Sequence, residues 1–152
     1  FLYWCQQLMA ESLGKKGKGI LPFVSPAPRD HHSLLQLYLD GPKDKLFYIF
    51  SLGLNRKIKT HDNIFGKLFE FAENKELTRI IESQKKALIE VFKKKKIPFR
   101  EFKISTINEE TLGELFSYFI IETIIIGKLI RVNPFDQPAV EQVKVHTKKL
   151  LS

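Results

Sequence analysis

Leu46-Phe47-Tyr48-Ile49-Phe50-Ser51-Leu52 is a near-continuous apolar run of strand length. A strand with water on one face alternates apolar and polar side chains, whereas a strand covered on both faces reads as an unbroken apolar run. The stretch therefore predicts a strand inside a layered sheet, with other elements packed on both sides.

The segments around it are helical in period. Upstream, Leu34, Leu35, Leu37 and Tyr38 fall at helical spacing, with Asp30 or Ser33 able to cap the start and Asp40-Gly41-Pro42 closing the end. Downstream, apolar periodicity from Ile64 to Phe71 and from Leu77 to Phe92 predicts two helices with a break around Asn74-Lys75. Phe99 to Ile104 alternates Phe, Phe and Ile with polar residues, which predicts a half-buried edge strand. Asn108 or Thr111 then opens a long apolar helix, Leu112 to Ile130, expected to stop at Asn133-Pro134, since proline has no N–H and biases the residue before it away from the helix. A last helix follows, capped by Asp136, with Pro138 in its first turn and basic residues near its end at Leu151. Near the start, Leu2, Cys5, Leu8 and Met9 predict a helix ending just after Glu11 with Gly14 as its cap, and Ile20-Leu21-Pro22-Phe23-Val24 predicts a short buried strand. Strands alternate with helices throughout, so the expected fold is a layered α/β domain with a mostly parallel sheet. No repeat or change of composition marks a boundary, and residues 1–152 read as one domain.

At 152 residues, with 43% hydrophobic and 12% aromatic content, the chain can bury a real core, which excludes a disordered protein. The net charge of +8 permits a nucleic-acid, membrane-surface or sugar-phosphate partner. The aromatics fall at core periodicity, which argues against nucleic acid, and Lys93 to Lys96 reads as a solvated helix end. Leu115 to Ile126 is too short to span a bilayer and contains Glu122, a paired structural carboxylate or one near a site. The single cysteine, Cys5, excludes an internal disulfide, suits a reducing cytoplasmic setting and reads as a small buried hydrophobe beside Trp4. The chain opens on Phe1-Leu2-Tyr3-Trp4 as if within a helix, so it is expected to be a piece of something longer.

Three stretches carry candidate chemistry. Gln6-Gln7-Leu8-Met9-Ala10-Glu11-Ser12-Leu13-Gly14-Lys15 sets a glutamate on the last turn of a helix, at the negative end of its dipole, as a candidate base; taken alone, Glu11 is an ordinary surface carboxylate. Asp30-His31-His32-Ser33, followed by Gln36, holds two histidines, but neighbours on a chain point different ways and no ligand set accompanies them, so no metal and no cofactor are expected. Phe135-Asp136-Gln137-Pro138-Ala139-Val140-Glu141-Gln142-Val143-Lys144 places Gln137 at a helix start and Lys144 about two turns further in, where an amide and an ammonium can face a polyhydroxylated anion; taken alone, Lys144 is a solvated lysine.

Together these strings resemble the glucose-6-phosphate isomerase family, in the family's order and across nearly the whole chain. Phe-Asp-Gln-x-Ala-Val-Glu-x-x-Lys is similar to its C-terminal motif, with Ala139 where most members have glycine. Glu-Ser-x-Gly-Lys is similar to the segment of its catalytic base, and Asp-x-His-Ser to that of its ring-opening histidine. The resemblance implies a three-layer α/β/α sugar-isomerase domain, incomplete at its N-terminus, with an upstream domain absent. It further implies Glu11, His32 and Lys144 as catalytic residues and Gln137 as a substrate-binding one, the substrate being a sugar phosphate in an aldose–ketose isomerisation. It implies a homodimer in which His32 acts in trans, His31 being the neighbouring alternative. The family's Ser/Thr phosphate loop and Gly-Gly-Arg motif have no counterpart here: Arg29, Arg56, Arg79, Arg100 and Arg131 lack that context. The competing readings are a non-catalytic sugar-phosphate-binding module of the same fold and, less favoured, a basic nucleic-acid binder.

Overall fold

The computed structural model describes residues 1–53, 58–60 and 67–152; Arg56, His61 and the first residues of the helix expected from Ile64 lie outside them. In chain order the elements are α1 (Leu2–Leu13), α2 (His31–Asp40), β1 (Phe47–Leu52), a 3-10 helix (Lys67–Ala72), α3 (Leu77–Lys95), β2 (Phe99–Ile104), α4 (Glu109–Leu129) and α5 (Pro138–Leu151). They gather into two compact units, one formed by Phe1–Ser25 with Asn108–Ser152 and the other by Pro26–Ile107.

The second unit holds the sheet. β1 and β2 pair in parallel, in register from Phe47 opposite Phe99 to Leu52 opposite Ile104, and α3 lies in the connection between them. A parallel pair needs such a crossover, so the expected parallel α/β arrangement is what forms. Aromatic side chains fill the space around the strands: Phe92 is 1% exposed, its ring 4.8 Å from that of Phe47, while Phe50 and Phe102 stack across the pair at 4.7 Å. β1 is not buried on both faces as its apolar run predicts. Its residues are half-buried and Leu52 is exposed, because among the described residues the sheet has only these two strands.

α3 ends in a left-handed residue, Lys96, with the Ile97 N–H donating to the Phe92 carbonyl (2.9 Å) and the Lys96 N–H to that of Lys93 (3.1 Å). This closes the last turn on itself. Lys93, Lys94 and Lys95 stand exposed on that turn and Lys95 pairs with Asp40 at 3.3 Å, as expected of a solvated helix end.

In the first unit α1 packs on α4. α1 buries Cys5, Met9 and Leu13, one residue per turn, and α4 buries Phe119, Thr123 and Gly127 at the same spacing. Asn108, rather than Thr111, caps α4: its Oδ1 accepts the Thr111 N–H at 2.8 Å. The helix does not run on to the proline. Arg131 turns left-handed, the Val132 N–H reaches the Gly127 carbonyl (2.9 Å) and the Arg131 N–H that of Lys128 (3.1 Å), so the same closing motif ends α4 ahead of Pro134. Pro134 instead lies against Gly127, where an added Cβ would meet its ring at 3.2 Å. The far side of α4, Tyr118, Ile121, Ile125 and Leu129, is exposed.

The buried strand expected at Ile20 to Val24 does not form. Ile20, Leu21 and Phe23 are 53%, 89% and 67% exposed, and no ladder includes them. Pro22 offers no N–H to a ladder, and an apolar run becomes a strand only where a neighbouring strand receives it.

Candidate functional site

Glu11 and Gln7 stand one turn apart on the exposed side of α1, opposite its buried stripe. Both carboxylate oxygens of Glu11 are held: Oε1 accepts from Gln7 Nε2 at 3.1 Å and Oε2 from Gln137 Nε2 at 3.2 Å. The structure thus brings together Glu11 and Gln137, 126 positions apart in the chain. Gln7 completes the group. Sequence reasoning passed over it, although the four-residue spacing to Glu11 places the two on one helical face.

Gln137 is itself the residue at the start of α5, with Pro138 in the first turn. The expectation that Asp136 caps this helix is not met, for no side-chain cap bond forms. Asp136 is drawn to Lys15, 3.1 Å away, and also accepts from Asn133 Nδ2 at 2.9 Å. The hydrogen bond from the Lys15 ammonium, helped by that from Asn133, holds the Asp136 carboxyl below the usual carboxylate range. A lowered folded-state pKa stabilises the fold above the unfolded pKa, and that contribution is lost as the pH falls through the folded value. The Lys15–Asp136 link is therefore expected to survive acidification past the ordinary value of 3.8 and to break below it. Carboxyl-carbon chemical shifts followed during acid titration would check this.

Lys144 is exposed on α5 and its ammonium pairs with Glu141 Oε1 at 2.6 Å. Gln137, Glu141 and Lys144 succeed one another at four and three residues, so all three share one side of the helix. The ion pair of Lys144 runs to Glu141 and not to Glu11. The side chain of Glu141, which sequence reasoning left without a role, therefore stands between the amide end of this face and the amine end.

His32 belongs to the other unit, where it stands exposed on the first turn of α2. Its neighbour His31 is half-buried and lines a groove of about 420 Å³ with Ile49, Leu52, Ile81, Leu88 and Ile104, at the carboxyl ends of the two strands. In parallel sheets ligands lodge at that end.

Cys5 is 7% exposed, and burial, with a smaller contribution from the charge of Glu122, pushes its thiol up to about 11. It is a packed side chain, not a nucleophile. At pH 8 a thiol near 11 holds about a hundredth of the thiolate of one at 9.0, so disulfide reagents should modify native Cys5 at least about 100-fold more slowly than the unfolded chain. Stopped-flow labelling with and without denaturant would measure the ratio.

No family model matches the chain. Among curated proteins, it is 36% identical over 147 residues to a probable glucose-6-phosphate isomerase of Methanococcus maripaludis, covering 95% of this chain and 32% of that protein. It is 35% identical over 142 residues to the glucose-6-phosphate isomerase of Methanocaldococcus jannaschii, covering 93% of this chain and 35% of the relative. A third, from Mycoplasmopsis pulmonis, is 36% identical over 160 residues, 99% of this chain and 36% of its own. The chain thus spans about a third of the length of the curated relatives it matches. Among solved structures, a hypothetical protein from Thermus thermophilus superposes with a TM-score of 0.83 at 26% identity, over 99% of this chain and 38% of that one. No helix among the described residues is long and apolar enough to cross a membrane.

Proposed function

We propose that this chain, which resembles about a third of a glucose-6-phosphate isomerase, supplies part of the active site of an enzyme interconverting glucose 6-phosphate and fructose 6-phosphate. The observation that carries the reading is the pairing of Glu11 with Gln137, from two strings each similar to an isomerase motif. A carboxylate and an amide 3.2 Å apart support a reading in which neighbouring hydroxyls of one sugar meet both.

In the proposed reaction His32, with Lys144 assisting, gives a proton to the ring oxygen as its bond to C1 breaks, while the C1 hydroxyl gives up its proton to water and becomes the carbonyl of the open-chain aldose. Glu11 then removes the C2 proton while electrons move into the C1–C2 bond and O1 gains a proton, forming a cis-enediol. The same carboxylate returns its proton to C1 as O2 loses its own, which leaves the ketose. Gln137 orients hydroxyls, an effect of positioning. His32 is exposed, which suits a residue offered to a second copy in a homodimer. A cytoplasmic setting suits the single buried thiol.

No residue here answers to the phosphate loop or to the enediolate-stabilising arginine, so the 152-residue chain by itself is expected to be inactive. The test is a chimera in which this sequence replaces the matching third of the Methanocaldococcus jannaschii protein. Isomerase turnover by the chimera and none by the isolated chain is the expected result. A folded, assembled chimera without activity would refute the reading, and turnover by the isolated chain that Glu11→Gln abolishes would refute the need for further parts.

A further inference from the structure

The contact between Glu11 and Gln137 joins two exposed side chains, and exposed pairs do not hold a geometry unaided. What holds this one lies beside it. Lys15-Lys16-Gly17-Lys18 forms a tight two-way hydrogen-bonded turn, with Lys15 and Lys18 exchanging backbone bonds at 3.0 and 2.9 Å and both central residues at positive φ. This is the two-residue hairpin turn whose twist requires a left-handed conformation at both centres. It directs the two flanking lysines into the segment that follows α4.

The Lys15 side chain is only 9% exposed. Its ammonium donates to the Ser12 carbonyl at 3.0 Å and to the Asn133 carbonyl at 2.5 Å, and pairs with Asp136 at 3.1 Å. Lys18 donates to the Ile130 carbonyl at 2.8 Å, at the end of α4. One nearly buried cation therefore ties the turn after Glu11 to the loop just before Gln137. An ammonium has three hydrogens, and here all three have acceptors. The Asn133 side chain braces the same loop, accepting the Phe135 N–H at 3.1 Å and donating to Asp136.

We infer that Lys15 is a positioning residue of the candidate site: by binding the Ser12 and Asn133 carbonyls and the Asp136 carboxylate at once, it sets Gln137 against Glu11. The inference deepens the proposed isomerase reading and rests on it for its catalytic meaning, but its structural half stands without that reading. Lys15 touches no reacting atom. Its removal acts through the placement of Gln137 and of the α5 face that follows.

The experiment has two arms. In the 152-residue chain, the Gln137 side-chain amide resonances are assigned with Gln137→Ala, and Glu11→Ala gives their position when the contact is absent. Lys15→Met, which keeps the aliphatic stem, is expected to move them at least half of the way to that position, with Lys15→Arg restoring most of the shift. Circular dichroism and the labelling rate of Cys5 show whether the core is intact. If Lys15→Met does not fold, Asp136→Asn keeps both carbonyl contacts and removes the charge pair, and a smaller shift in the same direction is expected. Resonances left at their native position in a folded variant overturn the inference. In the chimera, Lys15→Met is expected to lower kcat about 10–100-fold, as misplacement of a positioned group does, with an unaltered pH profile and partial rescue by Lys15→Arg. A folded, assembled chimera that is inactive even without substitution defeats the isomerase reading, while the amide resonances still decide the role of Lys15.

Discussion

Glu11→Gln in the chimeric enzyme is expected to lower kcat about 10²–10⁴-fold while leaving KM within a few-fold, the loss associated with removing a positioned general base. Glutamine keeps the length and the planar end group of glutamate, and its carbonyl oxygen can still accept from Gln137 or Gln7. What it cannot do is carry a proton from C2 to C1. The contact geometry would thus be largely preserved while the chemistry stops, and that separates a base from a residue that merely fixes the loop. Gln137→Ala is the contrasting variant, for it removes an orienting amide and frees one oxygen of Glu11, so KM and kcat should both suffer, each by less. Steady-state kinetics in both directions would record the two patterns. A Glu11→Gln enzyme within tenfold of the parent in kcat would mean that the proton is carried by another group.

What sequence reasoning could reach in the fold follows from which forces write themselves into residue order. The strands at Phe47 and Phe99 and the helices at Leu77 and Glu109 were legible because burial imposes a period, and a period survives in a linear string. Their ends were less so. Both α3 and α4 close on left-handed residues that are a lysine and an arginine, not glycine, so neither Lys96 nor Arg131 announces the stop that the backbone bonds make. Ile20 to Val24 fails for a different reason: its composition suits a strand, but strand formation depends on a partner whose presence no local pattern encodes. The candidate site divides the same way. Glu11, His32, Gln137 and Lys144 stand out as members of strings, whereas the meeting of Glu11 with Gln137 is a tertiary fact. Lys15 closes the Glu-Ser-x-Gly-Lys string, but that string does not say what its ammonium binds, because its bonds are mostly to carbonyls and every residue has one.

The largest stability effect should come from a side chain remote from that contact. Phe119→Ala is expected to cost about 3–5 kcal/mol, the range for deleting a fully buried aromatic ring and leaving its cavity. Phe119 is 1% exposed, and its ring lies 5.6 Å from that of Phe1, which in turn meets Phe116 at 5.5 Å; Phe116 stands edge-on to Trp4 at 4.5 Å. This cluster joins the first turn of α1 to the middle of α4, and the other end of α1 carries Glu11. Small units have only a few kcal/mol in reserve, so such a loss consumes most of the stability of the one that holds both helices. Trp4 is the only tryptophan and sits inside the cluster, so its emission reports on this unit alone during denaturant unfolding. The expected result is a large fall in the Trp4 midpoint and, with α1 released from α4, loss of the shifted Gln137 amide resonances under conditions where the parent keeps them. Leu129→Ala, on the exposed side of α4, provides the contrast, since surface truncations usually change stability by no more than about 0.5 kcal/mol. Equal midpoints for the two variants would mean that α1 is held to α4 by something other than the ring cluster, most directly by the buried stripe of Cys5, Met9 and Leu13.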